Sequence, residues 1–391
     1  MRVVHVITRL IVGGAQENTV DSVLGLRHKP GLEPHLISGP CGPLEGSLES
    51  RFSECPELLT VLPDLVRPIH PWRDWRAYRR LLECFRRQPP HLVHTHSGKA
   101  GILGRLAAAR AGVPLILHTV HGPSFGPFQG AAANGAFRAA ERFAAKVTTH
   151  FVVVADAMRQ QYLQAGIGRP EQYTKILSGF ALEPFLAATN DPALRAGLGL
   201  APEDIVVGKI ARITELKGHE DLLAVAPDLV RAAPRLKFLL VGDGSLRRSF
   251  EREVGKAGLR SHFIFTGLVP PEQVPPLVGI MDLLVHLSLR EGLPRSLPQA
   301  LAAARPVIAY DCDGAREVCL DDQTGFLLRP RDTASLRLRL LQLAGDAALR
   351  QRLGQAGRDF VRERFSRQRM VDDLYDLYRR LARETLNPAP L

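Results

Sequence analysis

"IVVGKIARITELKGHEDLL", residues 205–223, sets a run of β-branched residues ahead of a short polar loop and a second, helix-like segment. Ile205 to Ile210 read as a strand, and a helix is expected from His219 onward. A near-continuous apolar strand feeding a helix is the unit of a parallel sheet covered on both faces. The same habit recurs on either side. Before it come "VVHVIT", "HLVHTH", "PLILHTV" and "HFVVVA"; after it come "KFLLVGDG", "FIFTG", "LLVHLS" and "PVIAY". "VVHVITRL" near the start echoes "VVGKIARI" at Val206, each a strand ending in arginine before a loop and a helix. The expected fold is therefore α/β, with two Rossmann-like, doubly wound parallel-sheet domains.

The length of 391 residues accommodates two such domains. The weakly periodic, Gly-, Pro- and Asp-containing stretch "SGFALEPFLAATNDPALRAGLGLAPED" reads as their junction. Residues 1–185 are assigned to the first domain, 186–365 to the second, and 366–391 to a terminal helix and tail. Met370, Leu374, Leu377 and Leu381 are spaced as one helix face. "NPAPL" is expected to fray.

Apolar content of 45% with 23% charged residues is globular composition and excludes a disordered or collagenous chain. No uncharged apolar run reaches about 18 residues, so no spanning helix is expected. Cys41, Cys55, Cys84, Cys312 and Cys319 lack zinc-ligand spacing and read as free thiols in a reducing compartment. The net charge of +11 lies mostly in the first half and calls for an anionic partner. No nucleic-acid recognition module is present. The segment Trp72–Arg87 interleaves six arginines, from Arg73 to Arg87, with Trp72, Trp75 and Tyr78. It reads either as a surface helix with Tyr78, Leu81, Leu82 and Phe85 inward, or as a contact with anionic lipid.

Ligands of doubly wound sheets sit at the carboxyl ends of strands, where helix N-termini bare their amides to anions. Gly13 and Gly14 would let a ligand approach one such turn closely. In the quoted stretch Arg212 and Lys217 place two cations beside a helix entry, as a diphosphate requires. Gly242 in "LVGDGSLR" and Gly267 closing "FIFTG" mark further strand-to-glycine turns. In "LREGLPRSLPQALAAARPVIA", from Leu289, Glu291 follows a strand. Gly292, Leu293 and Pro294 then turn toward a helix that carries Gln299. A glutamate there accepts hydrogen bonds from hydroxyl groups or simply caps the helix. His94 and His96 share one side of a strand, but no third metal ligand is apparent. Neither a dinucleotide fingerprint nor a P-loop occurs.

Taken in order, "RLIVGGAQENTV", "HTHSGKAGILGRLAA", "TVHG", "ARITELKGHEDLL", "VGDGSLR" and "EGLPRSLPQALAAARPVIA" resemble the family-4 glycosyltransferases of the GT-B fold. The resemblance runs from about Val3 to about Arg380. It implies two Rossmann-like domains facing a cleft, a nucleotide-sugar donor held mainly by the second, and an acceptor such as a lipid-linked or polysaccharide glycan. A retaining reaction without cofactor or metal is implied as well; the cysteines and the Arg73–Arg87 segment, for their part, give the expected location as cytoplasmic, at most peripheral to the inner membrane face. His121 matches a histidine placed against the donor sugar. The family's two-glutamate motif falls on Glu291 and on position 299, where this chain has Gln; Gln299 keeps hydrogen-bonding capacity but loses the charge. Pro298 implies that the helix starts late or kinks. A nucleotide-sugar 2-epimerase, or a sugar-binding homologue without activity, are the competing readings.

Overall fold

The computed structural model describes residues 1–42, 46–126 and 128–386; the tail from 387 onward lies outside the described residues. The chain divides into two compact units. The first is Met1–Phe180 together with the segment from Arg367, and the second is Ala181–Ser366, so Phe185 belongs to the second.

In the first unit seven strands form one parallel sheet: β1 (Arg2–Val6), β2 (Glu33–Ser38), β3 (Leu59–Val61), β4 (Leu92–His96), β5 (Leu115–Val120), β6 (His150–Val153) and β7 (Tyr173–Lys175). Their order is β3-β2-β1-β4-β5-β6-β7. Alternation along each strand sorts side chains between two cores. Val4, Val6, Val93 and Ile116 pack with Leu81 and Phe85 of the helix Pro71–Arg87 and with Ala107 of the helix Gly98–Ala111. Val3, Leu92, Leu115 and Leu117 pack on the opposite face. They meet Met370, Leu374, Leu377, Tyr378 and Leu381 of the terminal helix Arg367–Leu386.

In the second unit six parallel strands follow: β8 (Ile205–Ile210), β9 (Leu236–Val241), β10 (Phe263–Gly267), β11 (Leu283–His286), β12 (Val307–Tyr310) and β13 (Gly325–Leu328). Their order is β10-β9-β8-β11-β12-β13. One core gathers Val207, Leu222, Leu229, Phe238, Leu240, Val285 and Phe326. Both sheets reverse their winding once, between β1 and β4 and between β8 and β11. Those reversals are the switch points at which open α/β sheets leave a crevice. Among the described residues no helix is long and apolar enough to cross a membrane.

Candidate functional site

β8 and β11 are neighbours at the second unit's switch point, so the loops that leave their carboxyl ends meet. The loop after β8 ends at Gly218, whose φ of 64° caps the helix His219–Ala232. A side chain at Gly218 would collide with Leu287 O, so both conformation and close approach demand glycine here. The two loops are tied together where Leu289 N–H donates to Leu216 O at 2.8 Å. Leu216 itself sits at φ 65°, an unfavourable region for a branched side chain.

This stitching brings Lys217 Nζ to 2.5 Å from Glu291 Oε1, with both side chains about one-fifth exposed. His286, at the end of β11, places Nε2 at 3.5 Å from the same carboxylate oxygen, while its Nδ1 meets Ser296 Oγ at 3.1 Å. Glu291 N–H donates to Asp313 Oδ2 at 2.6 Å, and Gly314 N–H to Gly292 O at 2.9 Å. The loop after β12 is thereby locked onto the loop after β11. Lys209, buried on β8, donates to Lys217 O at 2.7 Å.

Burial alone would raise the Glu291 carboxyl. The His286 ring and the Lys217 ammonium outweigh it and hold the group well below the usual carboxylate range. Burial, reinforced by Lys217, pushes Lys209 down to about 7. Burial, then Lys209 and Lys217, likewise push His219 down to about 3. Three cations or potential cations crowd one carboxylate, a local field suited to an anion.

The other expected residues divide. The N–H groups of Gly292 and Leu293 bond to no acceptor among the described residues. Pro294 has no N–H to offer and precedes the helix Ser296–Ala302 instead of opening it. Because that helix starts at Ser296, Pro298 falls in its first turn, where a missing N–H costs nothing. Gln299 lies on the same helix, partly exposed, and its N–H donates to Arg295 O. Arg212 is exposed and makes no ion pair among the described residues. Gly242, at φ 134°, packs so closely on Ala211 O that a side chain would clash, and its N–H donates to Gly267 O at 3.0 Å. These two glycines therefore have a packing role of their own.

In the first unit Gly13 stands at the start of the helix Gly14–Leu26 with φ 173°, which any residue adopts. A side chain there would meet only the Gln16 side-chain end. His121, half-buried beyond β5, bonds through Nε2 to His96 Nδ1 at 3.0 Å. The third ligand-capable residue that was not apparent in sequence beside His94 and His96 is present in the fold. Parallel register sets His5 of β1 opposite His94, and the ligand-capable atoms of His5, His94 and His96 lie within 4.8 Å of one another. On the helix Pro71–Arg87, Leu81, Leu82 and Phe85 face the core, whereas Trp72 and Trp75 stack at 4.9 Å and are exposed.

His286, Asp313 and Lys209 were not among the residues expected from sequence. "LLVHLS" did offer a histidine at a strand end, and the Asp313-Gly314 pair is a turn signal, with Asp313 at φ 51°.

Residues 13–176 match the family described as Glycosyl transferase 4-like domain, and residues 190–360 match Glycosyl transferases group 1. The chain is 29% identical over 326 residues to the putative glycosyltransferase EpsD of Bacillus subtilis, covering 81% of this chain and 83% of that one. It is 26% identical over 382 residues to the UDP-Gal:alpha-D-GlcNAc-diphosphoundecaprenol alpha-1,3-galactosyltransferase of Escherichia coli, covering 97% and 96%. The crystal structure of Anabaena Alr3699/HepE in complex with UDP-glucose superposes with a TM-score of 0.79 at 20% identity, over 97% of this chain and 99% of that one. At that identity the likeness concerns the fold.

Proposed function

Because the chain belongs to the GT-B glycosyltransferases of the family-4 type, we propose that it transfers a sugar, with retention of configuration, from a nucleoside-diphosphate sugar to a hydroxyl of a lipid-linked or polysaccharide glycan. A UDP-sugar is the donor we favour: HepE, which shares the fold, was crystallised with UDP-glucose, and the Escherichia coli relative is named for UDP-Gal. The named diphosphoundecaprenol acceptor of that relative supports the lipid-linked class, and a peripheral, cytoplasmic-face location is part of the same proposal.

One observation carries the reading. Lys217 pairs with Glu291 at the switch point, beside the unbonded amides of Gly292 and Leu293. In the proposed complex the ammonium and amides receive the diphosphate, and the Glu291 carboxylate accepts hydrogen bonds from sugar hydroxyls. Arg212, exposed on the loop after β8, adds a second cation by turning inward. As the bond from the anomeric carbon to the diphosphate breaks, charge grows on the leaving oxygen, and these preplaced donors stabilise it. One cation about 4 Å from one phosphate charge contributes roughly 4 kcal/mol at an effective dielectric near 20. Side chains thus suffice for the charge, and we assign no metal to the step. The acceptor hydroxyl attacks from the leaving-group side and passes its proton to a diphosphate oxygen. His121 is assigned to the donor sugar. Gly13 fits this reading: neither its φ nor its packing requires glycine, which leaves room for a substrate as the reason.

The test is a thermal-shift screen with UDP-, GDP- and ADP-sugars. A true donor at about 100 times its dissociation constant stabilises the fold by about 2.7 kcal/mol. A UDP-sugar is expected to raise the melting temperature; no response to any of the three overturns the reading.

A further inference from the structure

Six side chains of the first unit form one unbroken hydrogen-bonded chain. His121 Nε2 meets His96 Nδ1 at 3.0 Å, and His96 Nε2 meets His5 Nδ1 at 3.0 Å. His5 Nε2 meets the Tyr378 hydroxyl at 3.3 Å, which meets His94 Nδ1 at 2.5 Å. His94 Nε2 ends the chain on Thr119 Oγ1 at 2.6 Å. Register explains the assembly. His5 pairs with His94 and His96 with Thr119 across neighbouring strands, so all four lie on one face, the face covered by the helix that carries Tyr378. Every member except His121 is buried.

Burial pushes His5 down to about 3 and holds His94 and His96 well below the ordinary histidine range. Each is therefore a neutral imidazole, with one donor and one acceptor nitrogen. A chain of such rings has only two polarities. Thr119 selects between them. Its hydroxyl makes no other hydrogen bond among the described residues. A buried O–H without an acceptor is costlier than an unused oxygen lone pair. Thr119 accordingly donates to His94 Nε2. His94 Nδ1–H then donates to Tyr378, Tyr378 to His5 Nε2, His5 Nδ1–H to His96, and His96 Nδ1–H to His121 Nε2.

We propose that His96, backed by the buried chain running through His5, Tyr378 and His94 to Thr119, is a positioning residue that holds His121 as its Nδ1–H tautomer. This rests on the assignment of His121 to the donor sugar. It adds that His121 acts there as a hydrogen-bond donor through Nδ1, with Nε2 committed to His96. Thr119 stands only two residues before His121, yet it acts on His121 only through His94, Tyr378, His5 and His96, which come from two other strands and the terminal helix.

The experiment is a two-bond 1H–15N correlation spectrum of protein labelled at histidine, with His121 identified by its loss in His121→Gln. In the wild type, His5, His94, His96 and His121 are expected as Nδ1–H forms. His96→Leu removes the donor, and an Nε2–H form of His121 is expected to appear. UDP release from the UDP-sugar that raises the melting temperature should then fall about tenfold in kcat, while KM changes less than about twofold. His96→Asn, which keeps an N–H near the Nδ1 position, should restore most of both. An Nε2–H His121 in the wild type overturns the proposal, and that spectrum decides even if a variant fails to fold. So does a His96→Leu protein with an unchanged His121 signal and kcat. Stoichiometric zinc in the purified protein, with metal-ligated His5, His94 and His96, would overturn it as well. If the spectra are as expected but His121→Ala is fully active, the role given to His121 fails and the tautomer assignment stands.

Discussion

Lys217→Ala is the perturbation that bears most directly on the donor site. Lys217 Nζ lies 2.5 Å from Glu291 Oε1, with 18% and 20% of the two side chains exposed. A cation about 4 Å from one phosphate charge contributes roughly 4 kcal/mol at an effective dielectric near 20. In the free protein the ammonium already serves Glu291, so part of that contact is surrendered when a diphosphate arrives. A net loss of about 1.4–3 kcal/mol remains, which is about tenfold to hundredfold in affinity or rate. The substitution has a second consequence. Without Lys217, burial of Glu291 is opposed chiefly by His286, so the carboxyl rises toward its ordinary range and loses its ammonium partner. Titration calorimetry with UDP reads the first effect without needing an acceptor, and a melting curve verifies that the variant is folded. Lys217→Arg keeps the charge but not the compact ammonium and should fall between. A folded Lys217→Ala protein that binds UDP within about twofold of the wild type would refute the assignment, because no plausible dielectric reduces a direct phosphate contact to that level.

Two further predictions concern other charges. Lys209 has its folded pKa pushed from 10.5 down to about 7. Between those values the unfolded chain binds more protons, so its contribution makes stability rise with pH from about 7 to about 10.5, by at most about 5 kcal/mol. Lys209→Met should remove that rise in chemical denaturation measured across the window; equal slopes for wild type and variant would refute it. On the helix Pro71–Arg87, the exposed Trp72–Trp75 stack beside its arginines fits an anionic lipid surface. Trp72→Ala with Trp75→Ala should cut sedimentation with vesicles rich in anionic lipid about tenfold or more, since the two aromatic side chains that would enter the lipid are lost. Wild-type protein that stays in the supernatant sinks the membrane assignment.

How far the sequence discloses this molecule depends on whether the information is local. β1, β4, β5, β6 and β8–β12 announce themselves as β-branched runs, and the terminal helix by the spacing of Met370, Leu374, Leu377 and Leu381. The edge strands β3 and β7 do not, because three residues carry no period to read. Lys217 and Glu291 are legible for the same local reason: each closes a strand-to-helix loop, and strand ends are where ligands sit. Their partners are a different matter. Asp313 reaches Glu291 because β12 lies beside β11, a fact of strand order that no single window contains, whereas His286 shares a window with Glu291 and only the turn between them brings the ring back to the carboxylate. The histidine chain is the extreme case. His5 and His94 stand 89 positions apart, and Tyr378 follows His94 by 284. Only parallel register and the return of the terminal helix place them in line. That is why His94 and His96 looked, in sequence, like a metal pair short of a ligand. The folded chain supplies a third imidazole, and with it a tyrosine and a threonine whose single protons dictate a direction. A local motif can therefore nominate His121, but the tautomer proposed for it rests on the sheet.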